Sequence, residues 1–339
     1  MTYKIALIGE AWGAEEEKAR APFIGASGYE LTRMLSEAGI RRADCFLTNV
    51  FNLRPENNDI ENLCGDKTTA ILGYPPIRQG KFIRQSYTGE LIRLRQELIA
   101  ARPNVTVLLG NTPTWAILGT SGVTKIRGSI TISTLTHPGI KCLPTFHPAA
   151  ILREWSNRAV TVLDLKKAGR ESEFPEVRRP ERTVYIEPDL DDLEWFYNEH
   201  ITRASKISFD IETSGSQITC IGFGTSAEHA IVIPFIDPRK VGSSYWNGVE
   251  DERRAWEFVR KVLSTPQPKI AQNGLYDIHF LWRGYGIRVN NACEDTMLLH
   301  HALQPESQKG LGFLGSVYSN EQSWKLLGRR GIDTIKRDA

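Results

Sequence analysis

Over the first 168 positions, short apolar runs alternate with longer stretches of helical periodicity. The runs fall at residues 5–8, 45–51, 105–109 and 142–146, with helical patterns near 29–38 and 91–100. Strand alternating with helix predicts a parallel α/β sheet covered on both faces, a three-layer domain. Between Lys166 and Arg182 this periodicity gives way to charge and proline (Glu171, Glu173, Glu176, Arg178, Arg179, Pro175, Pro180), which reads as a linker. Beyond it the order changes. Three β-rich runs at 206–209, 217–224 and 230–235 are joined by short turns; helical patterns follow at 250–263, 275–285 and 295–303, with one more strand at 269–272. That order predicts an α+β layer. The expected organisation is a first domain over 1–170, a linker over 171–182 and a second domain over 183–339.

Composition narrows the classes. A chain of 339 residues is long for a single core and suits two, and 41% hydrophobic with 24% charged residues excludes a disordered or collagen-like chain. No apolar run approaches the roughly 18 residues of a membrane helix, and the first residues are too short and strand-like for a signal peptide, so a cytoplasmic protein is expected. Five scattered cysteines without a C-x-x-C pair argue against a disulfide framework or zinc ribbon and for reduced, buried thiols. Charge is uneven. Residues 1–170 hold 22 Lys+Arg against 15 Asp+Glu, whereas the remainder holds 20 against 25. The basic half points weakly to an anionic partner, and the acidic half suits divalent cations. The stretch 66–88, with Tyr74, Arg78, Lys81, Arg84 and Tyr87, reads either as a basic, aromatic loop lying on a nucleic-acid backbone or as an ordinary surface insertion.

Chemistry gathers at the expected strand ends. The first strand runs into Gly9-Glu10-Ala11-Trp12-Gly13, followed by Glu16 and Pro22-Phe23-Ile24-Gly25; the second ends Thr48-Asn49-Val50; the last runs into His147-Pro148-Ala149-Ala150-Ile151-Leu152-Arg153. Ligands in α/β sheets sit at carboxyl ends of strands, so the clusters can share one pocket. In this order, G-E-A-x-G, P-F-x-G, T-N-V and H-P-A-x-x-L-R resemble the uracil-DNA glycosylase superfamily, its iron–sulfur branch above all, over most of 1–168. The resemblance implies that Phe23 stacks on a flipped uracil and Asn49 bonds its amide edge. It makes His147 the donor to the carbonyl that gains charge, Glu10 a shaper of the pocket with Ala11 and Trp12, and Glu16 the residue that orients the attacking water. A base must leave the duplex before chemistry reaches it, which gives those roles a physical basis. His137-Pro138 competes with His147, but lacks the rest of the motif.

The sequence departs from that branch in two ways. Leu53 stands where T-N-V-x-x-C-R-P has a cysteine, and no cysteine precedes Gly9; only Cys64 falls near an expected ligand position. One thiolate cannot hold a [4Fe–4S] cluster, so no iron–sulfur cluster is expected. Trp12 replaces the usual proline.

The second half carries Asp210-Ile211-Glu212-Thr213, two carboxylates at i and i+2 on one strand face, and Asn273-Gly274-Leu275-Tyr276-Asp277. Convergent carboxylates are what two Mg²⁺ or Mn²⁺ ions need. The pair of motifs resembles the proofreading 3′-to-5′ exonuclease of family A DNA polymerases, implying a ribonuclease-H-like α+β fold with Asp210, Glu212 and Asp277 as metal ligands. Asp295 reads as a helix N-cap. Asp338 near the C-terminus is the candidate last ligand, although Thr334 stands where the family has tyrosine, so this half reads as C-terminally cut short. Glycosylase-like then exonuclease-like order is similar to the front of some bacteriophage DNA polymerases. The leading expectation is a DNA repair and replication enzyme that excises uracil and trims 3′ ends, working on DNA and with a separate polymerase chain as a further partner. A non-catalytic module binding uracil or a modified base, and a replication scaffold, remain as alternatives.

Overall fold

The computed structural model describes residues 3–237, 239 and 243–321. They form two compact units: one holds the chain up to Arg178 and the described residues from Gly312, the other Arg179–Leu311.

The first unit is built on β1 (Ile5–Ala11), α1 (Ala14–Ala19), α2 (Ala26–Glu37), β2 (Cys45–Phe51), β3 (Cys64–Gly65), β4 (Phe82–Ile83), α3 (Thr88–Ala101), β5 (Val105–Leu109), α4 (Asn111–Leu118), α5 (Val123–Ile126), β6 (Thr131–Ile132), β7 (Lys141–Thr145), α6 (Pro148–Arg153) and α7 (Arg158–Glu171). The sheet order is β2-β1-β5-β7-β6, parallel except for the edge strand β6. Successive residues of β1 alternate between two cores. Ala6 and Ile8 join Leu91, Leu94 and Leu98 of α3 and Trp115 of α4, while Ile5 and Leu7 join Leu31, Met34 and Leu35 of α2 and Leu165 of α7. A strand buried on both faces reads as an unbroken apolar run, which is the pattern at residues 5–8.

Two local expectations change. In the stretch 66–88, Ile71, Ile77 and Ile83 are buried in the core that contains Trp115, Tyr74 packs against Trp115 at 5.1 Å, and Tyr87 against Phe51 at 6.2 Å. These aromatic rings serve the core, because the stretch carries an isoleucine at every sixth position from 71 to 83 that needs cover. The seam also begins later than expected. Helix α7 runs to Glu171, and buried Lys141 donates to the Glu171 carboxylate and to the backbone oxygens of Phe174 and Glu176, so this charged stretch folds onto the first unit. Cys293 is exposed, unlike buried Cys45, Cys64 and Cys142; all five cysteines are free.

The second unit contains β8 (Thr183–Tyr185), α8 (Leu190–Phe196), β9 (Ile207–Ser214), β10 (Gln217–Gly224), β11 (His229–Pro234), α9 (Val249–Ser264), β12 (Lys269–Ala271), α10 (Leu275–Tyr285), β13 (Ala292–Asp295) and α11 (Thr296–Leu303). The strand order is β13-β12-β9-β10-β11-β8, with β9, β10 and β11 antiparallel to their neighbours among themselves and β8, β12 and β13 added in parallel. One core gathers Ile207, Phe209 and Ile211 of β9 with Phe258, Val259 and Val262 of α9. A last helix, α12 (Leu311–Tyr318), packs almost entirely with the first unit. The physical reason is two buried cations: Lys167 donates to Ser316 O at 2.7 Å and Arg127 to Ser316 Oγ at 3.0 Å.

Candidate functional site

The first site forms where β1, β2 and β7 end. Parallel register sets Asn49 beside Gly9. A Cβ at Gly9 would lie 2.2 Å from Asn49 Oδ1 and 2.6 Å from Phe23 Cζ, so only glycine lets these side chains meet over the strand. His147, the N-cap of α6, holds its ring 6.1 Å from that of Phe23, tilted by 31°. Three residues far apart in sequence therefore close around one place. Phe23 and Asn49 are buried. Arg93 fixes the Asn49 backbone by donating to its carbonyl at 2.9 Å, while the Asn49 side-chain amide takes no hydrogen bond from the described residues. It is left able to donate and accept at once.

His147 Nδ1 accepts the Ala149 N–H at 3.1 Å, which leaves the proton of the neutral ring on Nε2. Burial first, and then the Arg153 charge, pulls its pKa down to about 4, against a smaller opposing pull from Glu16. The imidazole is a neutral donor at physiological pH. Beside it opens a cleft of about 680 Å³ lined by Glu10, Thr112, Ala150, Arg153, Arg78 and Gln79 among others. Glu10 accepts the Thr112 hydroxyl, tying β1 to α4 at the cleft. His137 lies outside that lining, in the turn after β6.

Ala11, Trp12 and Glu16, like Phe23 and Asn49, lie outside the lining of that cleft. Ala11 pairs with Phe51 across the sheet. Trp12 donates its backbone N–H to Leu53 O at 3.1 Å, and its buried indole Nε1 has no partner among the described residues. Glu16 is buried with both oxygens turned to backbone: Oε1 accepts from Ile24 and Gly25, Oε2 from Gly13, all at 3.1 Å. Arg42 escaped the sequence reading. It donates to Phe23 O at 2.8 Å and Gly28 O at 3.0 Å, and no motif spacing signals that contact.

The second site lies on β9, where Ile207, Phe209 and Ile211 point into the core and Asp210 and Glu212 to the open face. Gly222 of β10 faces Asp210, so no side chain crowds it there. Asp277, in the first turn of α10, is buried and accepts the Ile211 N–H at 3.0 Å, and Tyr276 OH meets Thr213 Oγ1 at 3.1 Å, so the two motifs brace each other. Asp295 Oδ1 accepts from Met297 N–H at 2.8 Å as the N-cap of α11, and the same carboxylate takes the N–H groups of Asn273 and Gly274. Sheltering of its carboxyl, followed by the charges of Asp277 and Glu212, pushes Asp210 up to about 6. No group of three or more His, Cys, Asp or Glu among the described residues already stands at metal-holding distances. Asp338 and Thr334 lie outside the described residues.

Residues 2–168 match the family model of the uracil DNA glycosylase superfamily, and residues 185–326 match that of a 3′-5′ exonuclease. A type-4 uracil-DNA glycosylase of Thermotoga maritima is 35% identical over 169 residues, covering 49% of this chain and 76% of the relative. The corresponding protein of Archaeoglobus fulgidus is 30% identical over 177 residues, covering 49% and 75%. Among solved structures, RNase D of Escherichia coli is 18% identical with a TM-score of 0.30, and the match covers 42% of this chain and 34% of that one. No helix among the described residues is long and apolar enough to cross a membrane. Through its first half this chain belongs to the uracil DNA glycosylase superfamily, and its second half carries a 3′-5′ exonuclease domain.

Proposed function

We propose that the first unit removes uracil from DNA by hydrolysing the N-glycosidic bond, and that the second trims DNA from 3′ ends. The observation that carries the first half of this reading is the convergence of Phe23, Asn49 and His147. An extruded uracil would stack on Phe23, with its pairing edge against the Asn49 amide. As the bond to the sugar lengthens, the base carbonyl gathers negative charge, and a neutral Nε2–H aimed at that oxygen lowers the barrier without neutralising a prior positive charge. Glu10 shapes the cleft. The water-orienting role that the resemblance gives Glu16 competes with its three backbone hydrogen bonds.

Asp210, Glu212 and Asp277 are hard oxygen donors. Burial followed by neighbouring carboxylate charge raises the proton affinity of Asp210, and burial first raises that of Asp277, a cost that a divalent cation relieves, so the three would hold Mg²⁺ or Mn²⁺. The bound metal would activate water and steady the leaving oxygen. Asp277 is fixed by the Ile211 amide, which keeps one carboxylate pointed at the strand; Asp338 is proposed as a fourth ligand from sequence alone. An iron–sulfur cluster does not fit the first unit. Leu53 packs in the apolar cluster that also buries Cys64, and burial pushes the Cys64 thiol up, away from thiolate. A separate polymerase chain as partner, and a bacteriophage setting, rest on the order of the two halves.

The direct test uses a single-uracil oligonucleotide in EDTA. Alkali-labile sites should form, and their absence at high protein concentration, with binding retained, would replace excision by recognition alone. Adding Mg²⁺ or Mn²⁺ should then start degradation from 3′ ends.

A further inference from the structure

We propose that Glu16 and Arg42 lock the peptide plane between Phe23 and Ile24, and that this lock sets where the Phe23 ring stands between Asn49 and His147. Both are then positioning residues for base stacking, an assignment that rests on the excision reading above. Phe23 has φ +57°, a left-handed conformation that is a true outlier for a bulky side chain and persists only where its surroundings over-determine it. The surroundings do so here with two charges. Arg42 Nη2 donates to Phe23 O at 2.8 Å, and Glu16 Oε1 accepts from Ile24 N–H at 3.1 Å. That carbonyl and that N–H are the two ends of one peptide group. Flipping the plane would turn the carbonyl oxygen toward the carboxylate and the N–H toward the guanidinium, which is unfavourable at both ends.

The grip extends to each side. Glu16 also accepts from Gly25 N–H, and Arg42 also donates to Pro22 O at 3.4 Å, to Gly28 O at 3.0 Å and to Thr32 Oγ1 at 2.9 Å. Gly28 belongs to the same device, because a Cβ there would stand 1.8 Å from Phe23 O and displace the locked carbonyl. Both charged groups bond the backbone of the loop that carries Phe23, so their influence on excision passes through the Phe23 backbone.

The test is a double-mutant cycle on the full chain. Arg42→Met and Glu16→Gln are each made in the parent and in Phe23→Ala, and kcat and KM for single-uracil DNA are measured. Each single change should lower kcat/KM by roughly 10- to 100-fold. In the Phe23→Ala background each should cost less than about threefold more, since the ring they position is gone. Equal losses in both backgrounds would overturn the lock; for Glu16 this would return it to the chemistry of the attacking water. Arg42→Lys, which keeps one charge but cannot fork, should recover part of the loss and guards against a variant that does not fold. If the parent releases no uracil, the excision reading fails while the lock is still judged by spectroscopy. The ¹⁹F resonance of 4-fluorophenylalanine at position 23, identified by its loss in Phe23→Leu, should move in Arg42→Met and Glu16→Gln. An unmoved resonance in a folded variant overturns the lock.

Discussion

The two sites treat their polar groups in opposite ways. In the first unit the Asn49 backbone is held by Arg93, the His147 ring by the Ala149 amide and the Glu10 carboxylate by Thr112 before anything binds. In the second, Asp210 and Glu212 stand on the open face of a strand, their charges crowding one another, and only Asp277 is tied down. The contrast follows from the chemistry each supports. A neutral donor works through preorganisation in a water-poor place, where misplacement is costly. A carboxylate set works by leaving negative charge uncancelled, so that a cation supplies the final order.

The sharpest way to break this contrast is to remove the open site alone. Asp210→Ala combined with Glu212→Ala should lower metal-dependent end degradation on the order of a thousandfold, since the ion supplies several kcal/mol of charge stabilisation. Uracil release in EDTA should stay within about twofold. A parallel fall in both activities would mean that the sites are not independent. The converse is His147→Ala, expected to cost roughly 10²- to 10³-fold in kcat for excision, the loss typical of one preorganised donor, with end degradation unchanged. Gly9→Ala probes the tightness of the closed site. Its methyl must push Asn49 or Phe23 aside, so the first unit should lose about 1–3 kcal/mol in denaturant unfolding and excision should fall with it. An unchanged midpoint would show that this pocket is looser than its geometry.

Much of this was legible in the chain because the signals were local. Residues 45–51, 105–109, 217–224 and 275–285 were read to the residue, since continuous apolar runs and a helical stripe bounded by glycine or charge leave little freedom. Asp210 and Glu212 share a face for the same reason, as a strand alternates. The short parallel edge strands β8 and β13 were missed because three or four half-exposed residues carry no periodicity. The share of segment 66–88 in the core was not legible because its lysines and arginines hid Ile71, Ile77 and Ile83, which join a cluster with Trp115, far along the chain. Helix α12 lies with the first unit, where Ser316 accepts from Arg127 and Lys167, tertiary contacts with no local trace. In the site itself, Phe23, Asn49 and His147 were visible as motifs. Arg42 and the left-handed backbone of Phe23 were not, because they are bonds to carbonyl groups that any residue possesses.

The smallest expected effect discriminates most finely between a half-buried histidine held neutral and a freely solvated one. With a pKa near 4, about nine-tenths of His147 stays neutral at pH 5, whereas an ordinary imidazole with pKa about 6.5 would be only about 3% neutral there. Single-turnover excision should therefore fall less than about twofold between pH 7 and pH 5 and decline only on approach to pH 4. A half-maximal rate near pH 6.5 would show a solvated ring that is not held as the cleft implies. Stability moves with the opposite party. Because the folded pKa lies below that of the unfolded chain, the unfolded state binds the proton more readily, so the fold is favoured above about pH 6.5 and loses this contribution as pH falls toward 4. Unfolding midpoints for the parent and His147→Gln should accordingly converge or cross as pH drops through that window, while their excision rates remain apart.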